Sequence, residues 1–264
     1  MAVDRNSVYL CSGADLYLLG ALAGGDTLIG VRDPFYGWLT EEILEALPGI
    51  RDDLLARSYL TAQPSGMSIA PELAPLIATL ATPRAAIMAV RTLPQGVAAE
   101  RAYHIGAEQI TKLCRDDDQY TLEPITAGDL AADVVAWWNI HGDQGAPGSP
   151  FRLRQPALFA ARDAAGDADR AAALLRDAGA PDSAIALLIA ALASPLTNGS
   201  LVALRQNTMG WDTQGIAVLE GAAGLWRMRA FEHQDEPWVE VASTSLADLT
   251  QRVERLVRNA IGEE

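Results

Sequence analysis

Apolar positions follow a helical period in some stretches of the chain and alternate in others, and the succession of the two recurs. In LTEEILEALPGIRDDLLARSYL, residues 39–60, Ile43, Leu44, Leu47, Leu54 and Leu55 recur at helical spacings, and Pro48 with Gly49 predicts a split into two short helices. An earlier apolar stretch, Ala14 to Ala23, reads as a helix that stops at Gly24 and Gly25. In SIAPELAPLIATLATP, Ser68 is placed to cap, Pro71 to occupy the first turn and Pro83 to end a helix of about three turns. Beyond Pro83 the period changes. RAAIMAVRTL, AERAYHIG, QITKLCR and QYTLEPI are short runs rich in β-branched and aromatic residues, separated by LPQG, Gly106 and the triplet Asp116 to Asp118. They predict a four-stranded antiparallel meander. TAGDLAADVVAWW, Thr126 to Trp138, then predicts a helix with a capping threonine and a stripe of Leu130, Val134 and Trp138.

The second half follows the same order. ADRAAALLRDAG predicts a helix stopped by Gly179, and IALLIAALASP, residues 185–195, agrees with LAPLIATLATP, residues 73–83, at seven of eleven positions. SLVALRQ, TQGIAVLEG, GLWRMRAF and PWVEVA are strand candidates with turn signals between them, and SLADLTQRVERLV predicts a closing helix. There Ser245, Asp248, Leu249 and Val253 stand where Thr126, Asp129, Leu130 and Val134 stood. The expected fold is α+β: two quasi-equivalent repeats, each a roughly four-stranded antiparallel β-meander flanked by helices. The boundaries expected are residues 1–140 for the N-terminal helical segment and first repeat, 141–150 for a Gly/Pro-rich linker, and 151–264 for the second repeat.

Charge narrows the function. A net charge of −14, from 34 acidic and 20 basic residues of which only Lys112 is lysine, argues against nucleic-acid and anionic-lipid partners. The apolar run before Pro195 is too short to span a bilayer, which needs roughly 20 residues, so no membrane insertion is expected. MAVDRNSVYL lacks the basic and apolar regions of a signal peptide, and Cys11 and Cys114 have no metal or redox spacing. A cytoplasmic chain with free thiols is expected.

Chemistry is sparse. There is no dinucleotide, P-loop or nucleophile-elbow motif, and GALAGGD follows a helix rather than a strand, so no cofactor is expected. His104 falls in a strand, His141 in the linker and His233 in a hairpin turn, with no zinc-binding spacing. Cys114 reads as a small core residue, and Trp137 and Trp138 as packing against the sheet. The residues best suited to a partner surface are Trp211, Trp226, Met228 and Phe231, because aromatics and methionine are enriched at protein interfaces. Trp226 and Met228 share one strand face, Arg227 and Arg229 the other.

The stretches LAPLIATLATPRAAIMAV with TAGDLAADVVAWW, and IALLIAALASPLTNGSLVAL with STSLADLTQRVERLV, carry a resemblance to the EspG-type secretion-associated chaperones of ESX (type VII) systems. The resemblance is architectural and transfers no residue role. It implies a non-catalytic cytosolic adaptor that binds a helical, secreted client protein of the PE/PPE type. The residues themselves leave open a structural subunit of an assembly, or an enzyme whose groups converge from distant segments.

Overall fold

The computed structural model describes residues 7–64, 66–92 and 96–262. Its elements in chain order are β1 (Tyr9–Ser12), α1 (Gly13–Leu22), α2 (Thr40–Ala56), β2 (Leu60–Gln63), β3 (Gly66–Ile69), α3 (Ala74–Ala81), β4 (Ala85–Thr92), β5 (Ala98–Ile105), β6 (Ile110–Asp116), β7 (Gln119–Ile125) and α4 (Ala127–Trp138). There follow β8 (Phe151–Arg154), α5 (Gln155–Asp163), α6 (Ala168–Asp177), α7 (Asp182–Ala193), β9 (Thr197–Asn207), β10 (Gly210–Gly221), β11 (Gly224–His233), β12 (Glu236–Ser243) and α8 (Leu246–Ile261). The fold is α+β. Ten strands form one sheet in the order β1-β7-β6-β5-β4-β9-β10-β11-β12-β8, with every neighbouring pair antiparallel, and β2–β3 is a separate hairpin.

The two meanders meet where β4 pairs with β9, from Ala85↔Arg205 to Thr92↔Asn198. Strand alternation sends Ile87, Ala89, Leu201 and Ala203 to one face, where α4 and α8 cover the seam as a single core with Leu130, Val134, Trp138, Leu249 and Val253. On the other face two further cores form. Leu16, Leu19, Leu73, Leu76, Ile77 and Leu80 pack on β5, β6 and β7, while Leu158, Leu175, Ile185 and Leu188 pack on β10, β11 and β12.

Two close approaches fix the helices on the sheet. A Cβ at Gly199 would lie 2.6 Å from Trp138 Nε1, so only glycine lets the buried indole settle on β9 and donate to Val90 O at 3.3 Å. Likewise a Cβ at Gly221 would lie 2.6 Å from Ala191 Cβ, where α7 meets β10. The closing helices start alike, with Thr126 Oγ1 accepting from Asp129 N and Ser245 Oγ from Asp248 N. Asp133 of α4 ties its helix to β5 and β6: it accepts from Tyr103 Oη at 2.6 Å, Lys112 Nζ at 2.8 Å and Arg101 at 3.1 Å. Burial opposes its charge, but hydrogen bonds from Lys112 and Tyr103 outweigh burial and hold its carboxyl below the usual range. The chain's one lysine is thus consumed structurally.

Several local expectations are corrected. Pro48 does not split α2, which runs unbroken through it. The carbonyl that loses its donor belongs to Leu44, 61% exposed, where water can serve it, while Ile50, Leu54 and Leu55 anchor the far half. Ser68 is no cap: it lies in β3, with its hydroxyl 2.7 Å from that of Thr61. Helix α3 starts later, with Pro75 rather than Pro71 in its first turn, and spans eight residues. The stretch after Asn139 is tied to the second half: buried Glu220 accepts from the backbone N–H of His141 and Gly142, and Gly145 bridges to Leu225. Of the LPQG turn, residues 93–95 lie outside the described residues.

Trp138→Ala is expected to cost about 3–5 kcal/mol, because it empties a fully buried aromatic site over a glycine that cannot fill it. Urea denaturation followed by far-UV circular dichroism checks this.

Candidate functional site

Within the sheet, pairing lapses over its longest stretch between β10 and β11. Strand β10 pairs with β9 along its length, from Gly210↔Asn207 to Glu220↔Thr197, but with β11 only from Ala217 to Gly221. Strand β11 stays with β12 as far as His233↔Glu236. Residues 210–216 of β10 and 229–233 of β11 therefore border a notch, where alternate backbone groups point away from their one partner strand. Continuing the register would oppose Ile216 to Arg229, Gly215 to Ala230 and Gln214 to Phe231. Those pairs offer few apolar contacts to hold the strands together, so the natural sheet twist separates them.

The notch opens into a cleft of about 540 Å³, lined by Thr213 to Ile216 of β10, by Arg227 and Arg229 to Phe231 of β11, and by Arg252, Arg255, Leu256 and Asn259 of α8. Arg252, Arg255 and Asn259 share one face of α8 at spacings of three and four. Arg227 pairs with Glu240 at 3.0 Å, and Arg152 lies 5.2 Å from the centre of the Phe231 ring. The hydrogen bond from Arg227, helped by the charges of Arg229 and Arg152, holds Glu240 below the usual carboxylate range. Partial burial, then repulsion from Arg227 and Arg255, lowers Arg252. Above the cleft the β9–β10 hairpin projects with Met209 96% exposed and Trp211 43% exposed.

The four residues singled out from the sequence divide at this place. Trp211 stands on the free hairpin arm and Phe231 lines the notch. Met228 sits half-buried where pairing resumes, opposite Ala217. Trp226 is 0% exposed and packs against Phe151, so it presents no surface to a partner; strand alternation turns it inward against the α5–α7 layer. The arginine cluster was not singled out as a site. Its only signals were the alternation of Arg227 and Arg229 and the i, i+3 spacing of Arg252 and Arg255.

The titratable candidates do not converge. His104 is buried in the first half, with Nε2 2.9 Å from Ile29 O and donating to it as the neutral ring; burial lowers its pKa to about 4. His233 lies at the β11–β12 turn against Trp238, and His141 holds Glu220. Burial, then Asp15, pushes the Cys11 thiol up to about 12, and burial also raises Cys114. Asp117 takes positive φ in the β6–β7 turn, as expected of an aspartate triplet between strands.

A model of the EspG family matches residues 56–255, from the end of α2 into α8. The chain belongs to the EspG family. The whole architecture is also similar to the Mycobacterium tuberculosis type VII secretion system chaperone EspG5, solved in complex with the PE25–PPE41 dimer: TM-score 0.69 at 12% identity, covering 96% of each chain. At that identity the likeness is one of fold. No curated protein matches the chain in sequence. Among the described residues, no helix of this EspG-family protein is long and apolar enough to cross a membrane.

Protonation of His104 links folding to pH. The unfolded imidazole titrates near 6.5 and the folded one near 4, so the unfolded state binds more protons between them and stability falls as pH falls through that window. Urea midpoints across pH 4 to 7 are expected to reveal a loss of about 3 kcal/mol, and His104→Leu to remove most of that slope.

Proposed function

We propose that this protein is a non-catalytic cytosolic chaperone of a type VII secretion system, holding a helical secreted client until delivery. The family match over residues 56–255 carries this reading, since it takes in the strands from β4 to β12, all of α4 and the first part of α8. A relative in fold that was solved with a PE–PPE dimer supports the same client class. The non-catalytic reading is supported by the structural employment of His104, His141 and Cys11, each held by burial or by a fixed partner.

The client-holding surface in this reading is the β9–β10 arm and the notch beneath it. Met209 and Trp211 supply exposed apolar area, Phe231 lines the notch, and Met228 with buried Trp226 steadies the strand behind it. A projecting arm with apolar residues suits the exposed tip of a helical client, where desolvating a few large side chains supplies most of the affinity.

The halves are further proposed to be two quasi-equivalent repeats, residues 1–140 and 151–264 joined by 141–150. Supporting this, β4 to β7 with α4 and β9 to β12 with α8 run outward from the shared seam in the same order, each closed by a Thr- or Ser-capped helix.

Co-expression with a PE–PPE-type dimer is expected to give one complex on size-exclusion chromatography, and separate elution would overturn the reading. Met209→Asp with Trp211→Ala is expected to weaken that complex by about tenfold or more, measured by calorimetry.

A further inference from the structure

In a chain with 34 acidic and 20 basic residues, a gathering of arginines at one cleft stands out. Arg229, Arg252 and Arg255 make no ion pair among the described residues, and all three converge on the notch beside Arg227. The carboxylates close enough to act on Arg252 are Asp248 and Glu240, and Glu240 is already held by Arg227. Such a cluster concentrates positive potential on an otherwise acidic molecule. It is built wholly from arginine, whose planar fork receives a carboxylate through two parallel hydrogen bonds.

The backbone says what form the anion takes. Free edges of β10 and β11 border the same cleft, so it offers main-chain donors and acceptors beside the guanidinium groups. Ile216, Phe231 and Leu256 add apolar contacts between the charges. An extended polypeptide satisfies all three at once, with carboxylates on one face, apolar side chains on the other and its main chain on a strand edge. A nucleic acid fits less well, because bases need aromatic faces to stack on and the ring lining the cleft, Phe231, is already engaged by Arg152.

We infer that the notch binds an acidic, extended segment of the client, its carboxylates held by Arg229, Arg252 and Arg255 and its main chain paired with the free edge of β10. This deepens the chaperone reading and rests on it for the source of the segment. The arm then grips an apolar part of the client while the notch reads acidic residues beside it.

The test uses the intact protein and a fluorescein-labelled octapeptide of alternating Glu and Val, followed by anisotropy. Binding is expected to weaken about tenfold when the Glu residues become Gln, and similarly in Arg229→Glu, Arg252→Glu and Arg255→Glu. Arg162→Glu, at an exposed arginine already paired with Asp163, is expected to bind as wild type. N-methylation of alternate peptide residues is expected to abolish binding, because it removes main-chain donors. The peptide swap on the unaltered protein keeps the result free of any folding defect. Equal binding of the Gln peptide, equal binding by the charge-reversed variants, or displacement by inorganic phosphate or a single-stranded oligonucleotide at lower concentration than the Glu peptide would overturn the inference. A dimer still captured by charge-reversed protein at full affinity would sink the notch and leave the chaperone reading standing. Separate elution of the dimer, with the Glu peptide still bound, would do the reverse.

Discussion

Everything else in this structure hangs on the antiparallel seam between β4 and β9. Without it each meander would present an open edge and half a hydrophobic face to water. With it, eight residue pairs join two short sheets into one, and the seam becomes the floor on which both closing helices meet. Trp138 locks the arrangement. It belongs to the helix that closes the first meander, but it rests on Gly199 of the second, so first-half and second-half residues share one core.

That shared core explains why the divergence between β10 and β11 is tolerated. Beneath it Ile216, Val218 and Leu225 remain packed with Leu249, Val253 and Leu256 of α8, so the base of the notch is anchored even where the ladder lapses. The opening is therefore a feature of the edge of the core, where polar and glycine residues replace apolar ones along β10. Its arms are held by full-length pairing to β9 on one side and to β12 on the other. Both arms of the gap are therefore held in strand geometry by pairing on their outer sides.

Electrostatics divides the molecule in the same way. Lys112 and Arg101 are spent on Asp133, Arg57 on Asp15 and Arg115 on Glu100, so much of the positive charge in the first half holds the fold together. In the second half, arginines are left over and gathered at α8 and β11. A net acidic count says nothing about this, because it is a sum over the surface and not a map of it.

Periodicity alone placed both meanders, both closing helices and their Thr126 and Ser245 caps, since those depend on neighbours within one turn or one strand. Short elements such as β1, the β2–β3 hairpin, β8 and α5 were missed, because a run of four residues is too short to establish a period even where, as in FRLR of β8, it alternates, and the helix of α5 is ordered by what it packs on. Pro48 and Ser68 misled for a related reason: local rules give a residue's preference, while packing of Leu54 and pairing to Thr61 decided its state. Of the candidate site, Trp211 and Phe231 stand out in the sequence as residue types suited to a partner surface, but the inward face of Trp226 and the meeting of Arg229 with Arg252 and Arg255 do not. The sequence by itself determined the elements and their order, because spacing along the chain sets which side chains share a face. Only the tertiary structure decided that β4 meets β9, that β10 parts from β11 and that α8 lies beside the gap, because those contacts join residues far apart in sequence, and no local pattern encodes which distant partner a face will find.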